Sequence, residues 1–201
     1  MAGTGRVVAV SRDETHRFSK TPRESITLVT GLGVVGDAHA GALVQHRSRV
    51  RRDPGRPNLR QVHLIQDDLL AEARAAGHDL GPGGLGENVL TTGVDLLALP
   101  TGTRLRLGEV VLRVTGLRNP CRQIEDFSAG LLKVVVARAD ARPSTSEVTL
   151  GPTGGAESID GAGITRRAGV MAVVERGGEV RPGTAVAVEL PPEPHQRLEP
   201  V

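Results

Sequence analysis

Short segments rich in β-branched and other apolar residues recur along the chain and predict a mainly β protein. Residues 104–117 alternate apolar and polar side chains on both sides of Gly108 and Glu109, a pattern typical of a hairpin. A final hairpin is expected from residues 169–174 and 184–190, which flank the sequence GGEVRPG. Further strands are predicted at 6–12, 25–29, 61–65 and 89–92.

One segment has the spacing of a helix rather than that of a strand. Leu69, Leu70 and Ala73 fall on one face of such a helix. Asp67 is placed to cap its start, and Gly77 is placed to end it. This segment is therefore predicted to be the clearest helix of the chain.

A second, shorter helix is predicted after a proline. Pro120 suits the first turn of a helix, so residues 120–127 are expected to form one that presents Cys121 at its start. Residues 131–137 are apolar, but the run is too short to classify by its period.

The remaining segments predict loops around a single domain that spans residues 1–201. Residues 31–41 contain four glycines and predict a shaped loop, whereas residues 142–163 predict a flexible insertion. The proline-rich residues 191–201 are expected to form a tail. We find no internal repeat, and the sum of elements favours a β-barrel with a few short α-helices.

The composition argues against several classes of protein and does not identify a function by itself. The 25 basic residues nearly balance the 23 acidic ones, which favours no nucleic-acid partner, and no aromatic residue interrupts the arginine-rich stretch 47–60. The one cysteine excludes an internal disulfide and fits a reducing compartment. No segment approaches the ~20 apolar residues of a membrane helix, and no signal peptide is recognised, so we expect a cytoplasmic protein without membrane contact.

The lone Cys121 is the first candidate for chemistry. Arg118 and Arg122 flank it, and neighbouring positive charge favours the thiolate over the thiol. A thiolate is a soft ligand for a transition metal, and it can also hold sulfur as a persulfide. A lone cysteine can equally be a small buried apolar residue, and the residues alone leave both readings open.

Two glycine-rich loops supply further polar side chains. Asp37 and His39 could orient a substrate or relay a proton, or they could belong to an ordinary tight turn. Asn88, Thr91 and Thr92 suit a pterin ring or a phosphate, or they could satisfy neighbouring backbone groups. His46, which follows the first loop, is a weaker candidate.

Together these segments resemble the MOSC domain, which occurs at the C-terminus of molybdenum cofactor sulfurases and as stand-alone bacterial proteins. The motifs GDAHAG, GENVLTTG and NPCRQIEDF follow one another in the order and spacing of that family. The resemblance runs from about residue 31 to 138 and resumes at the last predicted hairpin. The insertion 142–163 departs from the family, and GDAHAG contains fewer histidines and glycines than the corresponding loop of the bacterial reductases.

The resemblance implies a MOSC-type β-barrel that binds the molybdenum cofactor, a pterin whose dithiolene holds molybdenum. It implies that Cys121 is essential, as a molybdenum ligand in members that reduce N-hydroxylated compounds or as a sulfur carrier in sulfurase-linked proteins. The other roles are assigned by position in the motifs: Asp37 and His39 as catalytic residues, and Asn88, Thr91, Thr92, Arg118 and Asn119 as cofactor-binding residues.

Three hypotheses follow from the sequence. The first is a reductase of small N-hydroxylated molecules that receives electrons from a separate reductase protein. The second is a sulfur carrier that receives a persulfide on Cys121 from a cysteine desulfurase. The third is a module that binds the cofactor without turnover. RNA binding through the stretch 47–60 is the least favoured alternative.

Overall fold

The computed structural model describes residues 5–45, 50–51, 53–138 and 164–201. Within these ranges the strands are short and the helices few. The strands are β1 (Gly5–Arg12), β2 (Thr21–Arg23), β3 (Ile26–Val29), β4 (Gly33–Val34), β5 (Val62–Gln66), β6 (Val89–Thr92), β7 (Arg104–Leu107), β8 (Val110–Leu117), β9 (Val136–Arg138), β10 (Ile164–Arg166), β11 (Val170–Arg176), β12 (Gly178–Val180) and β13 (Ala185–Glu189). The helices are α1 (Asp67–Ala75), α2 (Gln123–Phe127) and α3 (Leu131–Val135).

Seven strands close into a barrel, which confirms the predicted fold class. The order is β13-β7-β8-β11-β5-β6-β1, and β1 pairs again with β13 to complete the ring. The pairs are antiparallel except β5–β6, which is parallel. A parallel pair needs a crossover connection, and here the connection contains α1. Two smaller sheets, β12-β3-β4 and β10-β9, lie outside this ring.

The alternation along the barrel strands divides the apolar residues into two clusters. Leu64 and Val89 belong to the cluster that fills the barrel, whereas their neighbours Ile65 and Leu90 belong to a second cluster on the outer face. The second cluster also contains Leu70 of α1 and residues of α2 and α3. Successive side chains of a strand point to opposite faces, so one strand serves both clusters.

The strands of the predicted C-terminal hairpin do form, but they do not pair with each other. β11 pairs with β5 and β8, and β13 pairs with β7 and β1. Part of the intervening sequence GGEVRPG forms β12, which pairs with β3. The hairpin prediction was therefore wrong, because alternation identifies a strand but not its partner.

Neither predicted helix begins at the residue expected: the first begins one residue earlier and the second begins later. Asp67 is the first residue of α1, and the preceding Gln66 makes no side-chain capping bond. The end at Gly77 is confirmed, since its φ is +91° and its N–H donates to the Arg74 carbonyl. The helix expected over 120–127 starts at Gln123, so Cys121 precedes it instead of opening it.

The C-terminal segment packs against the barrel, contrary to the tail prediction. Leu198 is 3% exposed and belongs to the barrel cluster, and the Leu117 N–H donates to the Glu199 carbonyl. The apolar run 131–137 forms α3 and the start of β9. The predicted insertion 142–163 and His46 lie outside the described residues. Of the helices that the described residues form, none is long and apolar enough to cross a lipid bilayer.

Candidate functional site

A cleft of about 260 Å³ lies on the outer face of the barrel wall over β5 and β11. His63 and Met171 are cross-strand partners on these two strands, and their neighbours in sequence point into the barrel core. The loops that follow β1, β4 and β8 and the loop that precedes β6 form the sides. The cleft is lined by the basic residues Arg17, Lys20, Arg60 and Arg118, by His39 and His63, by Asn88, Asn119 and Gln123, by the apolar Phe18, Leu85 and Met171, and by Gly86 and Cys121.

Asp37 connects three residues of the cleft wall from behind. Its fully buried carboxylate accepts a hydrogen bond from Lys20 Nζ at 2.7 Å and one from Asn88 Nδ2 at 2.9 Å. The other oxygen faces the His39 N–H at 3.0 Å and His39 Nδ1 at 3.3 Å. Burial by itself would raise the pKa of Asp37, but the bonds from His39 and the charge of Lys20 outweigh it and hold that pKa well below its ordinary value.

The two histidines of the cleft differ in the burial and the hydrogen bonding of their rings. His63 is buried and places Nε2 2.7 Å from the Ala168 carbonyl oxygen. Burial and the nearby Arg118 charge lower the pKa of His63 well below its ordinary value, so it is neutral at pH 7. The side chain of His39 is 30% exposed, and its ring centroid lies 5.4 Å from that of His16.

Asn88 is held rigidly in the wall by three hydrogen bonds. Its side-chain oxygen accepts the His63 N–H at 3.1 Å, and its amide nitrogen donates to Asp37 and to the Ser11 carbonyl. The adjacent Glu87 carboxylate accepts the N–H groups of Gly83 and Leu85 and thereby shapes the glycine-rich loop. Burial raises the pKa of Glu87 to about 7.

Arg118 is a buried cation with an unused donor. The residue is 8% exposed, and its backbone N–H donates to the Gly169 carbonyl at 2.9 Å. Its Nη1 atom has no hydrogen-bond partner among the described residues. Burial lowers the pKa of Arg118, but an arginine remains protonated at neutral pH. A buried donor of this kind is stabilised when an anion enters the cleft.

Cys121 lies at the rim of the same cleft. It is half-buried, and its Sγ lies 3.5 Å from Gln123 Oε1. Its carbonyl oxygen accepts the Ile124 N–H at 3.1 Å, so the residue is tied to the start of α2. The described residues contain no group of three or more His, Cys, Asp or Glu side chains that could hold a metal ion.

Most of the sequence-predicted site residues meet at this cleft. Cys121, Arg118, Asn119, Asn88 and His39 line it, and Asp37 supports it from behind. The roles assigned to these residues stay predictions.

Two of the predicted residues lie elsewhere. Thr91 and Thr92 lie in β6, and neither is among the residues that line the cleft. Thr91 is buried and donates to the Ile65 carbonyl at 3.3 Å, and Thr92 pairs with Arg6 in the barrel ladder.

Lys20 and His63 are two polar residues of the cleft that sequence analysis missed. Lys20 had a detectable signal, because the chain contains only two lysines among its 25 basic residues. A rare lysine in an arginine-rich chain can indicate a position where a compact ammonium group is needed instead of a guanidinium. His63 had no such signal, since its neighbours form an ordinary strand.

Comparison with known proteins agrees with this architecture. The family model described as the MOSC domain matches residues 38–187. The crystal structure of the YuaD protein from Bacillus subtilis superposes with a TM-score of 0.67 at 21% identity, covering 94% of this chain and 97% of that one. YiiM from Escherichia coli gives 0.54 at 17% identity, covering 95% and 73%, and YiiM from Geobacillus stearothermophilus gives 0.56 at 13%, covering 92% and 75%. No curated protein sequence matches the chain.

Proposed function

The chain belongs to the MOSC domain family, which is associated with the molybdenum cofactor, and on this premise we propose that the cleft binds that cofactor with Cys121 as a molybdenum ligand. We propose further that the protein reduces small N-hydroxylated compounds. The observation that carries the proposal is the pairing, in one cleft, of a half-buried cysteine with the buried Arg118, whose Nη1 lacks a partner.

The residues of the cleft fit a group that is both anionic and metal-bearing. Cys121 offers a soft sulfur donor, which suits a transition metal. Arg118 offers a buried cation for a phosphate or another anionic substituent, and Lys20, Arg17 and Arg60 add positive charge to the lining. When bound, the cofactor supplies the two-electron chemistry that converts an N–OH group to N–H.

The reaction consumes two electrons and two protons and releases the hydroxyl oxygen as water. The electrons come from a separate reductase protein. The apolar side chains of Phe18, Leu85 and Met171 line part of the cleft and limit water around the reacting group. A single cysteine fits a reducing compartment, and we propose that the protein is cytoplasmic.

A sulfur carrier is the second candidate, and the exposure of Cys121 favours it. The residue is half-buried at a cleft rim, where a cysteine desulfurase could reach its Sγ. In this alternative Cys121 takes the terminal sulfur of the donor's persulfide, and the donor keeps a thiol. The difference between the two functions is whether metal or sulfur is found on Cys121.

The deciding experiment is metal and pterin analysis of protein purified from a host that makes the molybdenum cofactor. We expect about one molybdenum per chain in the wild type and in the control Arg122→Ala, an exposed neighbour, and none in Cys121→Ala. Because the pterin dithiolene holds the metal, molybdenum and pterin are expected to be lost together from Cys121→Ala.

Equal molybdenum in the wild type and Cys121→Ala, with the same number of sulfur neighbours around the metal in X-ray absorption spectra, would overturn Cys121 as a ligand. Little metal in both proteins, with one extra sulfur atom on wild-type Cys121 after incubation with a cysteine desulfurase, would establish the sulfur carrier. Bound cofactor with no turnover from any electron donor would leave the non-catalytic binding module.

A further inference from the structure

The ion pair between Lys20 and Asp37 is unusual because both side chains are removed from water. The Lys20 side chain is 5% exposed and that of Asp37 is 0% exposed, and Nζ lies 2.7 Å from Oδ2. Burial of two charges is costly, and the pair gives weak support for stability by itself. Lys20 lines the cleft, and Asp37 lies behind it, where the carboxylate holds both Asn88 and His39.

Asp37 contacts His39 at two points with the same oxygen. Oδ1 accepts the backbone N–H at 3.0 Å and lies 3.3 Å from Nδ1 of the ring. An ionised carboxylate can only accept a hydrogen bond, so Nδ1 is the nitrogen that bears the proton. In the neutral ring, Nε2 is then an unprotonated acceptor. Nε2 makes no hydrogen bond within the described part of the chain, and His39 lines the cleft.

We propose that the buried Lys20–Asp37 pair fixes His39 in the tautomer with Nδ1 protonated, so that Nε2 accepts the hydroxyl hydrogen of an N-hydroxylated substrate. This inference rests on the proposed function. His39 contacts the substrate, whereas Lys20 and Asp37 act through His39 as positioning residues. The hydrogen bond holds the N–OH group in one orientation beside Cys121 without transfer of any atom.

The composition of the cleft makes such an acceptor distinctive. Arg17, Lys20, Arg60 and Arg118 are donors only. The Asn88 oxygen already accepts the His63 N–H, and the Asn119 oxygen lies 3.3 Å from Arg166 Nε. His63 places its Nε2 against the Ala168 carbonyl. The Gln123 oxygen lies 3.5 Å from Cys121 Sγ, so His39 Nε2 is the side-chain acceptor of this lining that has no hydrogen-bond partner in the described part of the chain.

The charged groups around His39 favour its neutral, accepting form. Burial is the largest influence, and the positive charge of Lys20 and the neighbouring His16 act in the same direction, so the pKa of His39 lies below its ordinary value. Asp37 acts in the opposite direction, and its hydrogen bond selects which nitrogen keeps the proton. His16 places its own Nε2 3.2 Å from the Gln45 carbonyl, away from this role.

The tautomer is tested on the cofactor-free chain by nitrogen-15 NMR of its histidine side chains. The wild type is expected to show His39 Nε2 as an unprotonated acceptor at pH 7. Asp37→Asn is expected to mix the tautomers, and Lys20→Met is expected to raise the His39 pKa. Asp68→Asn, an exposed carboxylate on α1, is the control and should leave the His39 signals unchanged.

The substrate contact is tested with benzamidoxime and reduced methyl viologen on the loaded enzyme. His39→Asn removes the Nε2 position, and kcat/KM should fall about tenfold, the value of one hydrogen bond. His39→Gln extends an amide oxygen to that position and should recover most of this loss. Asp37→Asn should lower kcat/KM without loss of molybdenum.

Each result separates this inference from the proposed function. Protonated Nε2 in the wild type, or Asp37→Asn with wild-type His39 signals, would overturn the positioning role whatever the cofactor does. Wild-type kcat/KM in both His39 variants would overturn the substrate contact while the reductase remained. Absence of molybdenum in the wild type would remove the reductase and leave the NMR result to decide the tautomer.

Discussion

Two buried carboxyl groups near the cleft, Asp37 and Glu87, ionise in opposite ways because of what donates to them. Asp37 receives hydrogen bonds from His39 and from the cation Lys20, and these hold its pKa low. Glu87 receives only neutral backbone N–H groups, from Gly83 and Leu85, and burial raises its pKa to about 7. Two residue types that look equivalent in the sequence therefore have different charges at neutral pH.

Glu87 makes the stability of the protein depend on pH in a predictable direction. Its pKa is about 7 in the folded chain against an ordinary 4.5, so the folded state binds more protons. The stabilisation is complete below about pH 4.5 and is lost as the pH rises through 7. The loss amounts to on the order of 3 kcal/mol. Urea unfolding from pH 4.5 to 8 should show this decline in the wild type and a shallower one in Glu87→Gln.

The control for this experiment is Glu109→Gln, an exposed carboxyl in the β7–β8 turn. Its unfolding free energy should follow the wild type at every pH. Parallel pH profiles for the wild type and Glu87→Gln would contradict the raised pKa. A stability of Glu87→Gln that is lower than that of the wild type by the same amount at every pH would mean that Glu87 supplies loop geometry rather than a titrating group.

At the scale of elements, the junction between α3, β10 and β11 positions the cleft. Gly169 has a φ of +88°, and its carbonyl accepts the Arg118 N–H. A Cβ placed there would collide with the Leu64 carbonyl and approach Nε2 of His63. Only glycine allows β5, β11 and the Arg118 segment to approach each other this closely.

Gly169→Ala should destabilise the protein far more than Gly183→Ala. Both glycines have a φ of +88°, but Gly183 has open space where a Cβ would lie. Gly183→Ala should cost about 1 kcal/mol from backbone strain alone, whereas Gly169→Ala adds a backbone collision and should cost about 3 kcal/mol or more. Thermal and urea unfolding of the two variants measure the difference. Equal losses would show that β11 can shift to accommodate a methyl group.

At the scale of the whole molecule, closure of the barrel depends on segments far apart in sequence. β1 and β13 complete the ring through a short ladder at Gly5–Val186 and Arg6–Ala185. The segment 191–201 then returns to Leu117, where Leu198 enters the barrel cluster. Leu198, which follows the last strand, is thus part of the barrel core.

Leu198→Ala should therefore cost about 2–5 kcal/mol of unfolding free energy, as expected for a truncated core leucine. Leu190, which is 56% exposed, provides the matched control, and Leu190→Ala should change stability by less than about 0.5 kcal/mol. Equilibrium unfolding in urea compares the two. A loss below about 1 kcal/mol in Leu198→Ala would mean that the segment leaves the barrel readily in solution.

Sequence analysis recovered the features that depend on neighbouring residues. The hairpin over 104–117 forms as β7 and β8, and the strand predicted at 89–92 forms as β6. The motif that contains Arg118 and Cys121 lies at the cleft, and so do Asn88 and His39. Alternation, helical spacing and turn residues act over a few positions, so a single sequence contains them.

Tertiary structure alone decided which strands pair and which polar residues meet. β11 and β13 follow each other closely, yet ring closure sends them to different partners, because pairing is set by where all seven strands fit. Thr91 resembled a site residue by its motif, but it lies buried in the barrel wall. Lys20 and Asp37 come from separate loops, and only the folded chain excludes water from both and brings them behind His39. The sequence by itself thus determined the barrel and most of its site residues, while the electrostatics of the cleft arose from contacts that no local pattern contains.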